Sequence, residues 1–186
     1  HMGLGKSIQA MAYAALHPEE GPYLIICPSN VKYNWRNELN KWLPQKAVEV
    51  INTGRQEIPE ADFIIINYDL VHKQEKRLCQ FQPGGLIIDE SHYLKNDKAK
   101  RTQSTLVVAT LCSTVMCLSG IAISSRPKEF YTTLNLIRSD QFPSFWAFAQ
   151  RYCDAWHNGF GWDFSGASHT KELNERTRDF CIRRLK

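Results

Sequence analysis

The stretch Gly84-Gly85-Leu86-Ile87-Ile88-Asp89-Glu90-Ser91-His92-Tyr93-Leu94-Lys95-Asn96 decides the fold. Leu86 to Ile88 is a short, β-branched-rich apolar run, the pattern of a strand buried on both faces of a parallel sheet. Polarity then reverses, and Asp89, Glu90, Ser91 and His92 follow without a break. Two adjacent carboxylates therefore emerge at the carboxyl end of the strand, where open α/β sheets place their ligand crevice. Such an end suits phosphoryl transfer: Asp89 would hold Mg²⁺ across the β- and γ-phosphates, and Glu90 would orient or deprotonate the attacking water. The same residues also fit a solvated strand end or a helix cap. A phosphate-binding element elsewhere in the chain separates the two.

That element stands at the other end. Gly3-Leu4-Gly5-Lys6-Ser7 matches the last part of a phosphate-binding loop. Glycines let backbone N–H groups approach phosphate, Lys6 reaches the β- and γ-oxygens, and the Ser7 hydroxyl ligates Mg²⁺. Ile8 to Leu16 continues at helical spacing, so the loop opens a helix whose N-terminus faces the phosphates. The full loop pattern begins further upstream and follows a strand, and neither lies within residues 1–186, so either the chain is a piece of a longer polypeptide or its sheet is incomplete.

Between and beyond these motifs, short apolar runs alternate with helical patterns. Strands are expected at Tyr23 to Cys27, Ala47 to Ile51, Phe63 to Ile66 and Thr114 to Ser119, and helices at Val31 to Leu43, Leu70 to Phe81 and from Arg126-Pro127 to Ile137. Ser104 to Leu111 fits helix or strand. Ser29-Asn30 sits where an N-cap belongs. Gln141 to Trp156 is aromatic-rich and at a spacing that favours core packing over base stacking. Asn158 to Ser168 reads as a glycine-rich loop and Lys171 to Lys186 as a charged helix. Strands of about five residues separated by helices are the βαβ signature of an α/β fold.

Composition agrees with one globular domain: 186 residues, 43% hydrophobic and 23% charged, with a net charge of +4 that tolerates a polyanionic partner without demanding one. The six cysteines, Cys27, Cys79, Cys112, Cys117, Cys153 and Cys181, include no Cys-x-x-Cys pair, which argues for free thiols over zinc or a disulfide framework. No apolar run reaches the roughly 18 residues of a membrane span and no signal peptide is evident, so no membrane partner is expected and the chain reads as intracellular. It would be nuclear in a eukaryote and cytoplasmic in a bacterium or virus.

The motif series resembles the first motor lobe of superfamily-two helicase-like ATPases, specifically the Swi/Snf family of DNA translocases. The matching segments are MGLGKSIQ from Met2, LIICPSNVKYNW from Leu24, DFIIINYDL from Asp62, Leu86 to Asn96, LSGIAISSRPKEFY from Leu118, and IRRLK from Ile182. Arg151 to Asn174 is similar to the annealing-helicase branch. The resemblance implies a single RecA-like P-loop NTPase lobe over residues 1–186, mostly parallel sheet flanked by helices. It also implies ATP with Mg²⁺ as cofactors, double-stranded or forked DNA as partner, and a second RecA-like lobe further along the parent polypeptide. Ser29, Asn30 and Lys32, with Asn67 and Tyr68, are then expected on the DNA side, contacting phosphates rather than bases. His92 with Ser119 and Gly120 would couple the nucleotide to DNA. Where the family usually has Ser/Thr-Gly-Thr-Pro, this chain has Ser119-Gly120-Ile121-Ala122, which bears on that coupling. The alternative is a non-catalytic nucleic-acid- or protein-binding module derived from such a lobe. Nothing resembles the acceptor lid of a nucleotide kinase.

Overall fold

The computed structural model describes residues 5–120 and 127–182. Gly3, Leu4, Ile121 and Ala122 lie outside the described residues, as does the arginine pair at 183–184.

Helix α1 (Lys6–Leu16) opens the fold and leads through a polar turn to strand β1 (Tyr23–Cys27). Helix α2 (Lys32–Trp42), β2 (Val48–Val50), β3 (Phe63–Asn67), α3 (Tyr68–Phe81) and β4 (Gly85–Asp89) follow, then α4 (Lys100–Ala109) and β5 (Thr114–Leu118). The five strands form one parallel sheet in the order β2-β3-β1-β4-β5. The ambiguous Ser104 segment is helical. Its β-branched residues are tolerated because Thr102, Ser104, Thr105 and Val108 are buried, and Thr105 Oγ1 donates back to the Arg101 carbonyl.

Alternation along the strands sorts the core into two layers. Ile25, Cys27, Phe63, Ile65 and Ile87 point to one face, where Ala10, Met11 and Ala14 of α1 and Trp35 and Leu39 of α2 cover them. Leu24, Ile26, Ile64, Ile66, Leu86 and Ile88 point to the other, under Val71 and Leu78 of α3 and Val108 of α4. The two glycines before β4 are required by close approach. A Cβ on Gly84 would strike the Glu20 and Gly21 carbonyls, and one on Gly85 would enter the Tyr23 ring.

A third cluster packs helices against each other beyond the sheet. It joins α5 (Pro127–Ile137), α6 (Phe145–Tyr152) and α7 (Thr170–Thr177) through Phe130, Leu134, Phe142, Phe148, Tyr152 and Leu173. The core assignment for the aromatics therefore holds for Phe142, Phe148 and Tyr152, while Trp146 and Trp156 are exposed. Of Asn158 to Ser168, expected as loop, two residues form β7 (Trp162–Asp163), which makes a small antiparallel hairpin with β6 (Trp156–His157) just before the segment. The last helix is shorter than expected. It ends at Thr177. All six cysteines are free thiols.

Candidate active site

At the carboxyl edge of the sheet the start of α1 meets the end of β4. Gly5 precedes α1 in the left-handed conformation, φ 73° and ψ 21°, which a side chain would strain, so a glycine is needed there. No side chain caps α1, leaving its first N–H groups unsatisfied within the helix. Lys6 and Ser7, both half-buried, begin that helix. Lys6 Nζ lies 4.0 Å from Glu90 Oε1, which joins the first motif to the last residue before the 3₁₀ turn Ser91–Leu94.

Glu90 turns sharply out of β4 with φ 52° and ψ 54°, a left-handed geometry that costs a non-glycine residue energy and recurs at functional sites. Its carboxylate is held from two further directions. The Gly120 amide donates to Oε2 at 3.4 Å, and His92 Nδ1 lies 3.2 Å from the same oxygen but out of line for a hydrogen bond. The backbone beneath is pinned by Tyr68, whose hydroxyl donates to the Asp89 carbonyl at 2.6 Å and to the Glu90 carbonyl at 3.3 Å. Ser91 is buried and accepts from Thr133 Oγ1 at 3.4 Å, tying the turn to α5.

Asp89 is positioned by a residue that sequence patterning left as a helix-core tryptophan. Trp35, buried in α2, donates its indole N–H to Asp89 Oδ2 at 2.9 Å. Burial pushes the Asp89 carboxyl above the usual carboxylate range, and the Glu90 charge pushes the same way, against the opposing pull of the Trp35 bond and the Lys6 charge. A carboxylate made costly by burial, and held by neutral donors from the Trp35 indole and the Glu90 backbone, suits a cation beside it. With the Ser7 hydroxyl, the donor set is all oxygen, as Mg²⁺ prefers when phosphate and water complete its shell. The residues present therefore fit Mg²⁺ with ATP.

The residues expected on the DNA side divide. Ser29 and Asn30 are exposed and form a 3₁₀ turn, Ser29–Val31, ahead of α2. They do not cap the helix, whose N-cap is Val31. Lys32 departs from expectation. It is 5% exposed, and its ammonium donates to the Ile51 carbonyl at 3.0 Å and to Asn52 Oδ1 at 2.9 Å, so its charge is spent on the loop after β2 instead of being offered to phosphate. Tyr68 is equally committed: it is buried, with its hydroxyl on the β4 backbone and its ring stacked on Tyr93, centroids 5.2 Å apart. Asn67 is buried at the end of β3. Ser119 follows β5 and is half-buried. The i to i+3 helical period could place Trp35 and Lys32 on the buried face of α2, but no sequence signal connects Trp35 to a strand end 54 residues away or Lys32 to the loop after β2.

A parallel sheet with a Gly-Lys-Ser helix start beside an Asp-Glu strand end is the arrangement of a RecA-like lobe. The chain belongs to the SNF2-related domain family, whose profile matches residues 1–186. It is 41% identical over 190 residues to the SWI/SNF-related matrix-associated actin-dependent regulator of chromatin subfamily A-like protein 1 of Xenopus tropicalis, covering 100% of this chain and 20% of the relative. It is 35% identical over 198 residues to the DNA annealing helicase and endonuclease ZRANB3 of Mus musculus, covering 100% of this chain and 18% of the relative. The chain thus spans about a fifth of the length of these curated relatives. In fold it is similar to the Sulfolobus solfataricus SWI2/SNF2 ATPase core solved in complex with dsDNA, with TM-score 0.82 and 24% identity over 98% of this chain and 38% of that one. The same archaeal core domain, solved separately, gives TM-score 0.79 and 25% identity over 100% of this chain and 38% of that one.

Proposed function

We propose that the chain is the ATP-binding first lobe of a double-stranded DNA translocase of the annealing-helicase kind, working in the nucleus with a second RecA-like lobe of the same polypeptide. The observation that carries this is the meeting of Lys6 with Glu90 at 4.0 Å directly beside Asp89, across the carboxyl edge of the sheet. Before nucleotide binds, Lys6 and Glu90 neutralise each other; a γ-phosphate between them competes for the ammonium and leaves the carboxylate facing the attacking water. Gly3 to Ser7 hold the phosphates, Ser7 and Asp89 hold the metal, and Mg²⁺ when bound supplies charge neutralisation on the β- and γ-oxygens. Gly120 reaches Glu90 directly through its amide, so the segment after β5 acts on the carboxylate by a main-chain bond that does not depend on the side chains at 121 and 122. With His92 and Ser119 it forms the coupling group. Ser29 and Asn30, in the turn ahead of α2, contact DNA phosphate, with Asn67 at the end of β3 as a further contact on that side.

The test is Glu90→Gln in the two-lobed parent. ATP binding is expected to persist, while DNA-stimulated hydrolysis falls by about 10²-fold or more, as when a water-activating group is removed. Turnover retained at the parental level would overturn the assignment. DNA binding with no stimulation in the unsubstituted parent would favour the non-catalytic module.

A further inference from the structure

The end of β4 is gripped from both faces of the sheet. From the α2 face Trp35 holds the Asp89 side chain. From the opposite face, where Tyr68 belongs to the cluster of Val71, Leu78 and Leu94, the grip is on the main chain. The ladder between β1 and β4 runs as far as Ile26 and Ile88. One residue on, the Tyr68 hydroxyl takes over as donor, 2.6 Å from the Asp89 carbonyl oxygen and 3.3 Å from that of Glu90. The Glu90 carbonyl also accepts from the Tyr93 amide at 3.0 Å. The Tyr93 ring in turn lies flat on the Tyr68 ring, with planes 7° from parallel. Hydroxyl, carbonyl, amide and the two rings therefore close a loop around Glu90. Its outer wall is Arg101 of α4, whose guanidinium stands 6.0 Å from the Tyr93 ring centroid and 3.6 Å from the carboxylate of Asp69, the residue after Tyr68.

What this loop encloses is strained. A glutamate does not choose the left-handed region for itself, so Glu90 stays there only while its surroundings over-determine it. Released, it would relax toward an extended or right-handed backbone, and that rotation carries the carboxylate away from Lys6. Packing alone does not ask for a hydroxyl at position 68: a phenylalanine would fill the same space and keep the stack on Tyr93. The two carbonyls are what the oxygen serves. We infer that Tyr68 is a positioning residue for hydrolysis, its hydroxyl, braced by the Tyr93 ring, holding the Asp89–Glu90 main chain in the turn that aims the Glu90 carboxylate at the attacking water. This rests on the proposal that Glu90 activates that water. Tyr68 is 3% exposed, so it works through Glu90 and not by touching nucleotide or DNA.

Tyr68→Phe in the two-lobed parent isolates the hydroxyl, and Glu90→Gln supplies the second arm of a double-mutant cycle. Tyr68→Phe is expected to lower kcat for DNA-stimulated hydrolysis by about tenfold or more, with KM for ATP within about twofold of the parent, because a misaimed group slows chemistry and spares binding. The rise in Tm given by ATP with Mg²⁺ stays at the parental value, while exchange at the Tyr93 amide quickens severalfold. In the Glu90→Gln background the same substitution costs less than about twofold in kcat, since no carboxylate is left to aim. An equal factor in both backgrounds overturns the inference, because a general loosening of the lobe would be felt with or without the carboxylate. So does a rise in KM matched by a smaller ATP-induced Tm shift. An inactive Glu90→Gln beside a fully active Tyr68→Phe overturns this inference alone, whereas parental turnover in Glu90→Gln removes the reading on which it rests.

Discussion

Asp89 must be ionised to hold a cation, yet it sits where burial opposes ionisation. The Trp35 indole N–H is the neutral group that offsets this cost, at 2.9 Å. Trp35→Phe keeps the ring in the α2 face of the core and removes the donor. With Asp89 Oδ2 left unpaired, the loss of stability is expected to be about 1–3 kcal/mol at pH 7 in chelator and without nucleotide. The sign with pH follows from the raised carboxyl. The folded state holds its proton more tightly than the unfolded one, so lowering the pH relieves the penalty, and the substitution raises that affinity further. The deficit of Trp35→Phe, read as the difference in Tm from the parent, should therefore shrink as pH falls from 7 toward 5. An equal deficit at both pH values would mean that the bond matters for packing and not for the charge. The site was thus partly legible. Asp89, Glu90, Lys6 and Ser7 announce themselves because residue type and chain order carry their chemistry. Trp35 and Lys32 do not, because what they touch depends on how helices lie across the sheet.

At the scale of elements, the βαβ alternation was readable because each strand is a short apolar run bounded by polar residues, and β1 falls on the Tyr23 to Cys27 run itself. Patterning failed where tertiary contacts override it. Trp156–His157 and Trp162–Asp163 pair as a hairpin across a glycine-rich turn, and α7 stops at Thr177 although the charged pattern continues. The docking of α7 on α6 also depends on a side-chain cluster no spacing rule finds. Glu172 of α7 pairs with Arg151 of α6 and accepts from the Tyr152 hydroxyl at 2.8 Å, while Arg176 donates to that same hydroxyl at 2.8 Å. The Arg151 hydrogen bond, then the Tyr152 one, pull the Glu172 carboxyl down from 4.5 to about 2. A depressed carboxyl contributes stability above its unfolded value that is lost as pH falls through the folded one. The contribution is therefore complete above 4.5 and disappears toward 2. Glu172→Gln should lower Tm at pH 7 and flatten the acid limb of the curve in that window, relative to the parent. Parallel curves for the two proteins would show that the cluster does not contribute to holding α6 and α7 together.

Among the described residues, helices cover both faces of the sheet and Lys6 meets Glu90 at its carboxyl edge. Asp89, Glu90 and Lys6 all come from this chain, but the charge that develops on a transferring phosphoryl group also needs donors from the far side, and an arginine supplied from another body is worth roughly 10³ to 10⁵ in rate. The chain accounts for about a fifth of its curated relatives and 38% of the archaeal core it resembles in fold, which leaves room for such a body in proteins of this family. Binding and turnover should therefore separate. ATP with Mg²⁺ is expected to raise the Tm of the lobe alone, since any ligand of the folded state stabilises it by mass action, and the nucleotide should be recovered unhydrolysed. Joined to its second lobe, the same site should hydrolyse ATP, and DNA should accelerate it. DNA affinity in the joined protein should fall linearly with salt on logarithmic axes and be the same for unrelated duplex sequences, because the contacts proposed for exposed Ser29 and Asn30 are with phosphate and not base edges. Rapid hydrolysis by the lone lobe would show that the crevice is complete within this chain, and the role given to a second lobe would have to be withdrawn.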